Sequence, residues 1–176
     1  MRGDVELQLR LLRRPAGIAG VVGCAGGVGA LVAAYLPWYE VAATVEMLGG
    51  ERTRAVATLA GWQAHPWSWV VPVLGLLGAA VLLAEALDHP LPGSRDLGLV
   101  AALGLGVAAA VGGATFPPVT RFDVAGSRLR ELSGLADRLP SDVALAFAVR
   151  PGPGLWWTAG SAVVVVASVA LVARWR

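Results

Sequence analysis

AGIAGVVGCAGGVGALVAAYL, the run from Ala16 to Leu36, carries no charge and only small or apolar side chains apart from Tyr35. As a helix it would be about 30 Å long, the thickness of a bilayer core. Three more runs of this kind follow: Trp67–Leu87, which carries only Glu85, then Leu97–Phe116 and Leu155–Ala173. Soluble helices are rarely that long and apolar on every face, so the spacing predicts four membrane-spanning helices. Composition points the same way. Of 176 residues, 56% are hydrophobic and 15% charged, with 23 Gly besides. Soluble domains carry about 25% charged residues. A single Cys excludes a disulfide framework within the chain and any Cys-based zinc site. A net charge of +2 gives no electrostatic claim on nucleic acid. The absence of Lys and Asn, with Ile18 the only Ile, is the signature of a GC-rich source.

Prolines bound the runs. Pro15 precedes the first and Pro37 closes it, Pro66 opens the second, and Pro117 and Pro118 stop the third. Pro72 falls inside the second run and is expected to bend its outer end. Arg10, Arg13 and Arg14 stand against the first span, and Arg174 and Arg176 follow the last. Basic flanks mark the inner side, so both termini are expected in the cytoplasm of a bacterial plasma membrane. The chain then reads as one integral membrane domain, with outer loops at 37–66 and 117–154 and an inner loop at 88–96. Trp38, Trp67, Trp69, Trp156 and Trp157 fall at outer helix ends, where indoles favour the headgroup layer. Trp62 lies just before one such end and Trp175 marks an inner one. The alternative use of the outer aromatics is a binding surface.

The outer loops have patterns of their own. Tyr39, Val41, Ala43, Val45 and Met47 alternate with Glu40, Ala42, Thr44 and Glu46, the period of a half-buried strand. Gly49-Gly50 separates this run from Glu51–Leu59, which predicts a β-hairpin. In the second loop Leu129, Leu132, Leu135 and Leu139 recur at helical spacing before Pro140, an amphipathic helix. Val143–Val149 then reads as a third strand. Since an isolated hairpin is marginal in water, this segment is expected to pair with it. The expected fold is therefore an all-α membrane four-helix bundle with a small extracytoplasmic β-sheet and an amphipathic helix.

The hairpin, the Gly61-Trp62 step after it, and Arg150-Pro151-Gly152-Pro153-Gly154-Leu155-Trp156 entering the last span carry a resemblance. The layout is similar to the claudin-type four-helix arrangement. It also resembles small actinobacterial four-span proteins, the tryptophan-associated transmembrane proteins among them. The Cys pair and the full tryptophan-containing loop motif of animal claudins are absent. The resemblance implies an integral membrane protein and carries over no catalytic residue.

Candidate chemistry is sparse. Glu85, Asp88 and His89 stand at i, i+3 and i+4, which would share one helix face. Such a trio could bind a metal or pass a proton, although Pro90 suggests that the helix is ending there; the structural alternative is a solvated inner boundary with Arg95 near a carboxylate. His65 beside Pro66 reads as a helix-start residue at the interface, on the opposite side from His89. Val21-Val22-Gly23-Cys24 fits a loose lipobox, yet the apolar run continues past Cys24, which favours a plain residue in a span. Gly23-x-x-x-Gly27 and Gly104-x-x-x-Ala108-x-x-x-Gly112 are close-packing faces, for use within the bundle or in a homo-oligomer.

No Ser/His/Asp set, phosphate-binding Gly loop with Lys, or CxxC is present, so a non-enzymatic protein without cofactor or metal is expected. Its outer sheet would dock a membrane or envelope partner through Glu40, Glu46, Arg52, Arg54 and Trp62, with Arg52 or Arg54 pairing with Glu46 across the hairpin. The alternative is a small transporter or lipid-handling protein using a cavity between the helices, with Glu85, Asp88 and His89 as its polar groups.

Overall fold

A computed structural model of the chain describes residues 14–47, 50–89, 91–117, 122, 134 and 144–175. In chain order the elements are α1 (Pro15–Ala33), β1 (Pro37–Met47), β2 (Gly50–Ala60), the short α2 (Gly61–Ala64), α3 (Val70–Ala86), α4 (Ser94–Ala114), β3 (Ala144–Pro151) and α5 (Pro153–Trp175). Three helices, α1, α4 and α5, are long and apolar enough to cross a membrane. Their exposed surface is apolar along its length, with Leu103 64%, Val107 62% and Val163 68% exposed. Water does not tolerate a continuous apolar belt of that kind on a monomer.

α3 is shorter than the run that encodes it, at 17 residues. The reason lies at its start. Ser68 Oγ donates to His65 O at 2.5 Å and accepts from His65 N–H at 3.1 Å, which closes residues 65–68 into a turn. The helix therefore begins at Val70, and Pro72 stands in its first turn, where a missing N–H removes no helical bond. Pro72 is not an interior kink, contrary to the sequence reading. At the other end Asp88 takes a left-handed φ of 60°, and the next helix starts after Gly93, also left-handed at φ 71°.

α1 packs on α3 and α5, and α4 packs on the same two helices. The α1–α3 crossing is set by glycine on both sides. A Cβ at Gly27 would lie 2.5 Å from Ala79 N, and one at Gly75 would lie 2.7 Å from Gly27 O. Only bare backbone allows that approach. Gly23 faces Leu82 and Ser168, Gly104 faces Leu74, and Gly112 faces Leu155 and Trp38. Ala108 is buried in the same core as Leu105 and Leu155. Both small-residue faces thus make close contacts within the chain.

The predicted hairpin is present, and the third strand joins it: the sheet order is β2-β1-β3, antiparallel throughout. Met47 pairs with Gly50, so Gly50, expected in the turn, belongs to β2. β2 carries a bulge. Val41 pairs with Ala57 and Ala42 with Ala55, leaving Val56 as the extra residue. The bulge brings Leu59 and Ala57 onto the same face as Tyr39 and Val41, where an unbroken register would have put Thr58 opposite Tyr39. That face shares one core with the helix ends, through Trp38, Tyr39, Leu59, Phe122, Leu105 and Leu155. The predicted leucine helix at 129–139 lies outside the described residues.

Candidate functional site

Two consecutive residues of β1 join the sheet to the helices. The last carbonyls of any helix lack intrahelical partners. Trp38 Nε1 donates to Ala33 O at 3.0 Å, in the last turn of α1. Tyr39 OH donates to Gly112 O at 2.6 Å, with Thr115 O at 3.2 Å, at the end of α4. The register of β1 shifts between Pro37 and Tyr39, and both side chains enter one core, so one strand caps two helices.

Trp38 is fully buried. Its indole fits a socket in which glycine stands at Gly61, Gly112 and Gly154; Gly61 and Gly154 are too close to the ring for a Cβ, and at Gly112 one would be tight against it. Trp67 packs against it at 6.3 Å between ring centroids. The expected placement of Trp38 in a headgroup belt is therefore corrected: it is a core residue, because three glycines from separate elements make room for it. Trp69, Trp156, Trp157 and Trp175 are exposed, as interfacial residues would be.

Tyr39 is fully buried, and desolvation pushes its phenol up from 10.0 to about 12. The single hydroxyl proton goes to the α4 carbonyls, so the oxygen accepts from His65 Nε2, 2.9 Å away. His65 therefore carries a proton on Nε2. Its ring stacks on Trp67 at 5.0 Å with 10° between planes, and meets Tyr39 edge-on. His65 ends α2 and belongs to this polar core, where the sequence reading placed it at a helix start on the interface. Nothing near His65 in sequence marks Tyr39 as its partner.

The four charges expected on one polar face are divided. In register, Arg52 stands opposite Val45 and Arg54 opposite Ala43, and both guanidinium side chains are exposed. Directly opposed residues share a face, so the two arginines lie on the distal part of the face that forms the core lower down. Glu46 is in register with Glu51, which corrects its expected pairing with Arg52 or Arg54. Glu40 stands between Thr58 on β2 and Arg150 on β3. Arg150, exposed on the face with Glu40, is the residue that sequence reasoning missed; the third-strand register would have found it. Thr44 and Thr53 hydroxyls bond across the hairpin at 3.1 Å. Trp62 in α2 is 51% exposed and stands at the rim of the sheet.

The expected Glu85–Asp88–His89 face does not form. α3 ends at Ala86, Asp88 has left-handed backbone, and His89 Nδ1 turns to Leu87 O at 2.7 Å. Glu85 alone of the three stays on the helix, at the end away from the sheet, where its Oε1 accepts from Ser94 Oγ. Among the described residues, no group of three His, Cys, Asp or Glu side chains is placed to hold a metal ion. Cys24 is a free, half-buried thiol within α1. Comparison with protein-family models and with curated proteins returns no match to this chain.

Proposed function

We propose that the chain is a non-catalytic, four-span protein of a bacterial plasma membrane whose outer β-sheet is a rigid docking platform for an acidic surface of a membrane or envelope protein. α3, about 26 Å long at 1.5 Å per residue, would complete the four spans. The end bearing Arg14, Arg95 and Arg174 would face the cytoplasm and the sheet would face out.

The observation that carries the reading is the double cap. Trp38 and Tyr39 tie β1 to the ends of α1 and α4, while Arg52, Thr53 and Arg54 on the distal part of β2 are exposed. A platform fixed at its base loses little entropy when its tip binds. Among the described side chains the exposed charge on that part of β2 is basic, and long-range attraction to an acidic partner would raise the encounter rate more than the affinity. The buried polar groups support a structural role: Tyr39 and His65 serve each other, and Thr158 Oγ1 donates to Gly154 O at 2.9 Å within its own helix.

The test is a photo-crosslinking residue in place of Thr53, activated in intact cells. A discrete adduct that disappears in the Arg52→Glu/Arg54→Glu double variant is expected. An adduct that survives the charge reversal would contradict the docking surface. Glu85→Gln is the matched test of the transport alternative: loss of phenotype in that variant, with none in the double variant, would favour transport.

A further inference from the structure

The two edges of the sheet are built differently. β2 carries Arg52 and Arg54, and its bulge at Val56 interrupts the ladder. Charges and bulges keep a strand edge from pairing with another chain. β3, at the opposite edge, has neither over most of its length. Ala144-Leu145-Ala146-Phe147-Ala148-Val149 carries no charge, and its register with β1 is unbroken. Gly152 N–H donates to Trp38 O at 2.6 Å, which fixes the phase of that ladder. Even-numbered residues of β3 therefore bond to β1, and the N–H and C=O groups of Leu145, Phe147 and Val149 point away from it. Among the described residues no strand lies on that side.

An apolar groove runs from the same edge down the helices. It encloses about 820 Å3 between α4 and α5, with Gly106, Val107 and Ala110 on one wall and Trp156 and Val163 on the other. Pro151, the last residue of β3, lines it at the sheet end. Val107, Trp156 and Val163 are exposed there, and a Cβ at Gly106 would meet nothing within 4 Å.

We propose that β3 pairs antiparallel with β3 of a second copy of this chain, about a two-fold axis at Phe147, with the α4–α5 groove of each copy closed against the other. This rests on the membrane reading above, which holds both copies in one bilayer. A foreign strand could satisfy the same backbone groups, but this sequence is its own complement. Reversed about Phe147, Leu145 stands opposite Val149 and Ala146 opposite Ala148. Every outward N–H and C=O of the three odd-numbered residues then finds a partner across the axis. Arg150, the one charge of β3, falls opposite Ala144 of the second copy and about 20 Å from its own counterpart. The axis of such a pair is perpendicular to the sheet. The sheet lays a face on the helix ends, through Tyr39, Val41 and Leu59, so the axis runs along the helices, as two copies side by side in one membrane require. Both grooves then meet on the side where the strands join, and packing of apolar helices adds attraction within lipid. The β2 tips with Arg52 and Arg54 stay free at the two ends of the joined sheet.

Two full-length forms with different tags are co-expressed in a Cys24→Ala background, one Ala146→Cys and the other Ala148→Cys. Both positions are exposed. Directly opposed, non-hydrogen-bonded residues lie about 4.5 Å apart at Cα, within reach of a disulfide. Mild oxidation of the membranes is expected to give a covalent dimer carrying both tags. Either form expressed alone should give none, because two copies of one such position are diagonal neighbours about 8 Å apart. Ala110 lines the groove from an exposed position, so Ala110→Trp in both forms fills it without entering the core and should abolish the mixed dimer. Absence of the mixed dimer, equal dimer from either cysteine alone, or a mixed dimer that survives Ala110→Trp would overturn the proposal. Capture of a different protein by Ala148→Cys in place of the second copy would do the same. A carbonate wash of the membranes separates the two claims. Release of the protein defeats the membrane reading and the dimer with it, whereas embedded protein without the mixed dimer defeats the dimer alone.

Discussion

Removing one oxygen, in Tyr39→Phe, tests how firmly the sheet is fixed to the helices. The phenol is fully buried and bonds to Gly112 O at 2.6 Å and to His65 Nε2 at 2.9 Å. Phenylalanine keeps the ring and removes one hydrogen bond from the buried Gly112 carbonyl and one from the half-buried His65 imidazole. Losing a partner at a buried polar group costs about 1–3 kcal/mol, which lowers the thermal midpoint in detergent by roughly 2–10 °C. The pH dependence isolates the hydroxyl. Burial raises the folded phenol from 10.0 to about 12, so between those values the unfolded chain has lost a proton that the native one retains. The Tyr39 contribution is therefore complete below pH 10 and is lost as pH rises toward 12. The stability gap between wild type and Tyr39→Phe should narrow over that window and be constant below it. Circular dichroism melts from pH 8 upward measure it. A gap that is zero at pH 8, or one that does not change with pH, would refute the reasoning.

Gly27→Ala should destabilise by about 1–3 kcal/mol, because its Cβ would meet the α3 backbone. Gly106→Ala, whose Cβ meets nothing within 4 Å, should be neutral or stabilising by up to about 1 kcal/mol, as helix propensity dictates; paired melts of the two variants compare them directly. Trp38→Phe should be costlier than Trp157→Phe, since the first indole is buried and bonded to Ala33 O and the second is exposed; melts of both in the same detergent rank them. Intact mass of the mature chain should show α1 still attached and no diacylglycerol on Cys24; a chain starting at a lipidated Cys24, with Pro15–Gly23 of α1 lost, would refute this.

The hairpin and its third strand were legible because alternation survives in one dimension: Tyr39, Val41, Ala43 and Val45 repeat every second residue whatever lies around them. The position of Arg52 and Arg54 was legible too. Any two-residue turn at 48–49 or 49–50 sets both opposite the odd-numbered apolar residues of β1, never opposite Glu46. What the one-dimensional pattern hid is assembled from distant segments. Trp38 looks like every other tryptophan at a helix end until Gly61, Gly112 and Gly154 are brought around it. His65 and Tyr39 meet only because α2 folds back after β2. The bulge at Val56 has no composition signal, yet it decides that Leu59 rather than Thr58 enters the core. Asp88 and His89 left the helix face because α3 ends at Ala86, a boundary that Pro90 hinted at and that helical spacing ignored.

The central claim is that the sheet and the Glu85 end lie on opposite sides of a membrane crossed by the helices. Single cysteines at Gly50, at the start of β2, and at Leu91, exposed in the inner connection, test it in a Cys24→Ala background. In intact cells a membrane-impermeant maleimide should label Gly50→Cys and spare Leu91→Cys, and lysis should make both react. Labelling of both positions before lysis, or of Leu91→Cys alone, would contradict it.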